Sequence, residues 1–294
     1  MSFALFTDNA ANLPLRLIQA ENVGVIPFSY YLEGKEYKDT DIEAFDGHAF
    51  YQKMMDGAIV TTSQINPSAF EENFRAALEK GLDVVHVSMS SGISGAYASS
   101  LIAIDELRDE FPERTIRSID TRCASLGEGH FAIWALECRE KGMSAKETAD
   151  FIESKLDNMV QIFTVEDLVY LKRSGRISNF KATMATILNI KPLLKGNENG
   201  QIINFGTFRG LKKSLRALAD LYEEYALNRE NEKVYISHAN CEEDADMLIE
   251  MIKEKNNPKE FIKVMFEPVT GSHVGPGALA LFFMGPDDNR TKIQ

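Results

Sequence analysis

The stretch Asp83–Tyr97, DVVHVSMSSGISGAY, constrains this chain more than any other. Val84, Val85 and Val87 make a β-branched run of strand length after Gly81. Ser90-Ser91-Gly92-Ile93-Ser94-Gly95 then leads into a helical pattern carried by Tyr97, Leu101 and Ile104. Strand, small-residue loop and helix in that order belong to an open α/β sheet, where ligands bind outside the carboxyl ends of the strands. Ser94 stands where an N-cap is expected, and a helix start offers N–H groups suited to phosphate or carboxylate. Serine and glycine equally suit a plain cap and turn, so both readings stand at this point.

The same alternation runs through the first half. Phe3–Thr7 reads as a strand, Asn12-Leu13-Pro14 opens a helix, Val23–Tyr31 is a second apolar run, and Glu33-Gly34-Lys35 is a tight turn. Phe45–Met55 has helical spacing, and Asn66-Pro67 reads as N-cap and N1 of a helix with a Phe70, Phe74, Ala77, Leu78 face. Ile116–Ile119 is a strand, a helix follows around Phe131, Trp134 and Cys138, and Ser144 with Glu147 makes a capping box. These elements predict an N-terminal α/β/α domain over 1–158 with a mainly parallel sheet. Beyond Asn158 the pattern changes: strand Val160–Val165, short helix Glu166–Lys172, helix Phe180–Leu188 capped by Ser178, then a hairpin of Pro192–Lys195 and Ile202–Phe208. A helix through Leu215, Leu218 and Tyr222, another through Leu248 and Ile252, and strands Val234–Ser237, Phe261–Glu267 and Ala278–Met284 complete a C-terminal α+β domain over 159–294 with a mixed sheet.

Composition excludes several functions. The net charge of −12 argues against nucleic acid, which wants a basic footprint, and against lasting attachment to an anionic membrane, leaving only transient membrane contact. No apolar run approaches the ~20 residues of a membrane span. The first residues, MSFALFTDNAANLP, lack the basic region of a signal peptide. Cys123, Cys138 and Cys241 are odd in number and widely spaced, so no disulfide framework or zinc pattern is expected, and the chain reads as cytoplasmic. No P-loop, dinucleotide fingerprint or metal-ligand spacing occurs, so neither a metal nor a cofactor is expected.

Three hydroxyl-rich segments, Thr7-Asp8-Asn9, Thr61–Gln64 and Ser90–Ser94, are expected to converge at one sheet edge if the strands are parallel. Far away in sequence, Thr270–Gly277 packs three glycines and Pro276 around His273, which predicts a constrained loop presenting an imidazole. His86, His48 and His130 look structural, and His238 suits either role. Gly92-Ile93-Ser94-Gly95 is one residue short of the G-x-S-x-G nucleophile elbow, and no acid is evidently placed to orient His273. Hydroxyls and an imidazole serve equally well to hold a carboxylate. Lys172-Arg173-Ser174-Gly175-Arg176, with Arg209, Lys212 and Lys213 downstream, suits either phosphate or a solvated helix end.

In order along the chain, Thr7-Asp8, Thr62-Ser63-Gln64, Ser90–Tyr97, Tyr170–Ile177, Lys191-Pro192 and Gly271–Gly277 together resemble the DegV family, which includes the fatty-acid-binding subunit of bacterial fatty acid kinase. The resemblance implies one long-chain fatty acid in a tunnel between the two domains. It implies a carboxylate held by Thr62, Ser94 and His273, with Ser63, Ser91, Gly92 and Gly95 as the supporting loop. It further implies a separate kinase subunit that phosphorylates the bound acid to an acyl phosphate, with Arg173, Arg176 and Arg209 facing that partner or the phosphate. Two departures stand out: Ser174 where paired glycines are common, and Asn9 where a serine often follows Thr-Asp. The expected function is therefore a non-catalytic lipid carrier; the alternatives are a serine esterase using Ser94 and His273, or a regulatory protein sensing a phosphorylated metabolite.

Overall fold

The computed structural model describes residues 3–38, 45–177, 189–230 and 232–293. The expected helix Phe180–Leu188 and its Ser178 cap lie outside the described residues. The chain forms two compact units, Met1–Phe45 with Val60–Leu156, and Asp46–Ile59 with Asp157–Gln294.

The first unit begins with β1 (Phe3–Asp8), α1 (Leu15–Ala20) and β2 (Gly24–Ile26), followed by β3 (Ser29–Leu32) and β4 (Lys35–Tyr37). The chain then gives α2 (Gly47–Met55) to the second unit and returns with β5 (Thr61–Ser63), α3 (Pro67–Leu78), β6 (Asp83–Ser88), α4 (Ala96–Glu110), β7 (Ile116–Asp120), α5 (Leu126–Glu140) and α6 (Ala145–Glu153). Its main sheet is parallel with order β2-β1-β6-β7, in the register Leu5↔Val85 and Val85↔Arg117. Val84 and Val85 point to opposite faces and both are buried, so β6 is covered on both sides, as a central parallel strand must be. Phe70 and Phe74 pack on the buried His86 ring, with Phe70 and His86 centroids 5.0 Å apart, and Phe6 packs in turn on Phe74. Asn66 caps α3 by accepting from Ala69 N–H with Pro67 in the first turn, and Ser144 and Glu147 close the expected capping box.

A smaller antiparallel sheet, β4-β3-β5, stands apart from the parallel one. Glu33 (φ 53°) and Gly34 (φ 78°) make its two-residue turn, both left-handed as a type I′ hairpin demands. This sheet corrects one expectation. Thr61–Gln64 does not extend from a parallel strand; β5 pairs antiparallel with β3, in the register Tyr30↔Thr62.

The second unit contains β8 (Met159–Thr164), α7 (Val169–Ser174), β9 (Ile190–Gly196), β10 (Ile202–Arg209), α8 (Leu211–Tyr225), β11 (Lys233–His238), α9 (Glu242–Lys253), β12 (Glu260–Met265), α10 (Pro268–Val274), β13 (Leu279–Met284) and α11 (Asn289–Lys292). Its sheet has the order β10-β9-β8-β13-β11-β12; β11 and β12 are parallel and the other neighbours antiparallel. Leu215, Leu218 and Tyr222 of α8 and Leu248 and Ile252 of α9 bury their apolar stripes against Val160, Ile162, Ile236, Leu281 and Phe283. A parallel sheet in the first unit and a mixed one in the second bear out the α/β and α+β expectation.

Candidate functional site

The chain leaves β6 through Ser88 and Met89 into a folded turn with little backbone freedom. Ser90 N–H donates to Cys123 O at 2.8 Å, and Ser90 O accepts from Ile93 N–H at 3.2 Å and Ser94 N–H at 3.1 Å. Gly92 N–H donates to Ser90 Oγ at 3.1 Å. Asp120, at the end of β7, accepts from Ser91 N–H at 3.0 Å and from Ser91 Oγ at 2.5 Å. The amides from Ser90 to Ser94 are thus committed within the unit, and Ser91 is turned toward Asp120. Gly95 rather than Ser94 takes the N-cap position of α4, although Ser94 Oγ still accepts from Ala96 N–H at 3.2 Å. A hydroxyl that accepts keeps its proton to donate. Ser94 therefore remains chemically equipped to hold an anion.

The structure brings β5 and this turn together. A methyl group built on Gly95 would lie 2.2 Å from Gln64 Oε1, 3.0 Å from Cδ and 3.2 Å from Nε2. The carboxamide of Gln64, two residues beyond Thr62, thus lies across Gly95, next to Ser94. Thr62 and Ser63 are both half-buried, on opposite faces of β5. Thr7-Asp8-Asn9 ends β1 beside the end of β6, as the parallel pairing predicts, but its side chains are buried and turned inward. Thr7 Oγ1 donates to Glu128 Oε1 at 3.1 Å, Asp8 accepts from Ala10 and Met89 N–H, and Asn9 bonds both backbone groups of Phe28.

His273 corrects a further expectation, since it lies in the last turn of a helix and not in a glycine loop. Glu267 accepts from Val269 N–H and Thr270 N–H, Pro268 occupies the first turn, and these two local signals start α10. The glycines serve packing and termination. A methyl group on Gly271 would lie 2.0 Å from Tyr51 Oη, whose proton goes to Phe266 O at 2.9 Å. Gly275 ends the helix at φ 80° with the Tyr170 ring in the place of its missing side chain, and Gly277 (φ 77°) packs on Glu166.

Tyr170 connects α10 to the basic segment. Arg173 stacks on the Tyr170 ring, its guanidinium 5.2 Å from the centroid. Gly175 closes α7 in the left-handed conformation, and Arg176 donates to Ser174 O. Burial first, then the positive charges of Arg176 and Arg173, push the His273 imidazole down to about 4. At neutral pH the ring is uncharged, with a proton on one nitrogen and a lone pair on the other. Arg209 ends β10 opposite Ile190 and is not among the charges acting on His273. Thr62 and Ser94 thus belong to one arrangement in the first unit, and His273, Arg173 and Arg176 to another in the second.

Among the described residues no group of histidine, cysteine or acidic side chains is arranged to hold a metal ion, and no helix is long and apolar enough to cross a membrane. Sequence reasoning missed the roles of Asp120 and Tyr51. Each acts across a long separation in the chain, with no local pattern to mark it.

The sequence profile of the DegV family, described as an uncharacterised protein family, matches residues 2–285. A DegV domain-containing protein of Clostridium perfringens is 36% identical over 283 residues, covering 96% of this chain and 97% of the relative. Among solved structures, a DegV family protein of Thermus thermophilus, solved for its fatty acid binding, is 30% identical with a TM-score of 0.87, covering 97% of this chain and all of the other. A fatty-acid-binding DegV family protein of Streptococcus agalactiae is 27% identical with a TM-score of 0.86, covering 97% of this chain and 99% of the other. DegV of Bacillus subtilis, a fatty acid binding protein, is likewise 27% identical at a TM-score of 0.83, covering 97% of this chain and all of the other. With a match from residue 2 to residue 285, this chain belongs to the DegV family.

Proposed function

We propose that this protein binds a long-chain fatty acid and presents it to a separate kinase subunit, which phosphorylates the carboxylate to an acyl phosphate. The observation that carries the first part is the full-length similarity to the Thermus thermophilus protein solved for its fatty acid binding. The local chemistry supports it. Ser94 Oγ keeps a proton to donate, Thr62 adds a second hydroxyl, and His273 is a neutral imidazole able to donate one N–H to a carboxylate oxygen. Ser63, Ser91, Gly92 and Gly95 support those groups, Ser91 through Asp120. Apolar burial supplies the affinity: about fifteen methylene groups at ~0.8 kcal/mol each exceed what a micromolar complex needs.

Arg173 and Arg176, whose charges act on His273, are the groups we assign to the phosphate or the kinase partner, with Arg209 as a further contact. The partner supplies the phosphoryl group, and this chain supplies the oriented acid. The esterase reading is disfavoured, because a general base works best poised near neutrality and His273 is held at about 4.

Native mass spectrometry of the purified protein, followed by organic extraction, tests the carrier reading. A stoichiometric long-chain fatty acid, weakened in Ser94→Ala and His273→Ala, is expected. A protein that stays unliganded after incubation with oleate and palmitate overturns the reading. Arg176→Ala is expected to keep the lipid and to slow acyl phosphate formation when a fatty acid kinase catalytic subunit and ATP are added.

A further inference from the structure

Gly271 stands inside a helix where alanine would serve the backbone better. Its N–H donates to Glu267 O at 2.9 Å and its carbonyl accepts from Gly275 N–H at 2.8 Å, so the chain is helical here and no left-handed turn demands glycine. Glycine is a poorer helix former than alanine at such a position. What a side chain would meet is a rigid neighbour. A Cβ would lie 2.0 Å from Tyr51 Oη, 2.9 Å from Cζ and 3.2 Å from Cε1. The Tyr51 ring is fully buried, rests on Phe50 with centroids 5.2 Å apart, and is held at its far end by the bond to Phe266 O at 2.9 Å. Its helix α2 is held as well, with His48 Nδ1 2.5 Å from Asn240 Oδ1. The ring has no way to swing aside without breaking its bond.

We infer that Tyr51 is a positioning residue for His273, setting where α10 carries the imidazole. This rests on the fatty-acid reading and adds to it a residue of α2. Tyr51 meets the α10 segment at two heights, at Phe266 O just ahead of the cap Glu267 and at Gly271 in the middle of the helix. Phe266 N–H in turn donates to His238 O at 2.8 Å, at the end of β11. A helix of seven residues is too short to hold its own place, so its neighbours decide it. Two contacts on one rigid side chain fix both the rotation of α10 and its position along its axis. His273 follows Gly271 by two residues, about 200° round the helix at ~100° per residue, so the imidazole leaves α10 on the side away from Tyr51. A shift of α10 off Tyr51 is thus passed to His273 along the direction in which it points. At the far end the Tyr170 ring fills the place of a side chain on Gly275, which limits how α10 can tilt to compensate. A displacement of about 1 Å takes a hydrogen bond to a carboxylate oxygen beyond useful length. An apolar tail has no such requirement.

The test is a double-mutant cycle on purified full-length protein, stripped of bound lipid, with oleate and oleyl alcohol as the two probes. Gly271→Ala, which pushes α10 off the Tyr51 ring, is expected to raise the oleate Kd about tenfold, corresponding to ~1.4 kcal/mol. Oleyl alcohol shares the tail and lacks the carboxylate, and its Kd is expected to change far less. Tyr51→Phe frees Phe266 O and leaves the ring in place; it is expected to weaken oleate binding with the same selectivity and by a smaller factor. The deciding comparison is made in the His273→Ala background. There both substitutions are expected to cost oleate nothing further, because the group they displace is gone. A purely structural role would give the same loss with and without His273. Thermal unfolding fixes a temperature at which the variants are folded, and Tyr51→Phe carries the cycle alone if Gly271→Ala does not fold. Wild-type oleate affinity in the folded variants, equal losses for acid and alcohol, or undiminished losses in His273→Ala overturn the positioning role and leave the fatty-acid reading standing. A wild-type protein that binds neither probe overturns both.

Discussion

Glu128 accepts the Thr7 hydroxyl at 3.1 Å in the interior of the first unit, where both side chains are fully buried and the Asp8 carboxyl is their charged neighbour. Burial first, and then the charge of Asp8, raise Glu128 well above the usual carboxylate range; burial likewise pushes Asp8 up to about 6. Glu128 therefore holds its proton to higher pH in the folded protein than in the unfolded chain. The folded state then binds more protons than the unfolded one, and stability falls as pH rises above the ordinary glutamate range. Glutamine imitates a neutral carboxyl. Glu128→Gln is expected to remain folded and to flatten the fall, by up to about 1.4 kcal/mol per pH unit, measured by urea unfolding at a series of pH values above the ordinary glutamate range. Equal slopes in the two proteins would show that Glu128 is ionised in the fold.

His273 gives the opposite sign. Its imidazole sits at about 4 in the fold against 6.5 when free, so the unfolded chain takes up the proton first as pH falls. Stability from this group is complete above its free value and is lost on acidification toward its folded value. Oleate affinity is expected to be flat between about pH 6 and pH 8, because the ring stays neutral throughout. Binding that weakens steadily as pH rises through that window would mean the imidazolium is the ligand. Isothermal titration at several pH values, with His273→Ala as the control, separates the two.

Gly271→Ala places a methyl group against Tyr51 Oη, whose bond to Phe266 O joins α2 to the segment before α10. Overpacking of a buried site costs about 1–3 kcal/mol. Tyr51→Phe loses only the hydroxyl and its bond, at about 1 kcal/mol. Denaturant unfolding is expected to rank Gly271→Ala below Tyr51→Phe, with the double variant better than the sum of the two, since removing the hydroxyl relieves the contact.

Lys195 is buried and donates from Nζ to the carbonyls of Arg290, at 2.7 Å, and Ile293, serving as a cationic cap on α11. Lys195→Met keeps the apolar stem and removes both bonds. A loss of about 1.5–3 kcal/mol is expected, with faster amide exchange confined to the residues of α11. Unchanged exchange there would show that α11 is held by its other contacts alone.

Much of this molecule is legible in the sequence because the signals are local. The caps at Asn66 and Ser144, the β-branched run at Val84–Val87 and the Glu33-Gly34 turn each act within a few residues, so their chemistry is written in adjacent positions. The alternation of strands and helices carried the parallel sheet of the first unit for the same reason. The helix under His273 was equally local, signalled by Glu267 and Pro268, and was obscured by glycines that look like turn residues. Tertiary structure decided which small and polar residues are spoken for. Thr7 was turned inward by Glu128, Ser91 was taken by Asp120, and Gly271 was kept small by Tyr51, which itself bonds a carbonyl 215 residues away. A hydroxyl or glycine carries the same intrinsic chemistry wherever it stands, and its role depends on distant neighbours that no local pattern encodes. Sequence alone therefore determined the elements and the candidate donors, whereas packing decided what each hydroxyl and glycine meets.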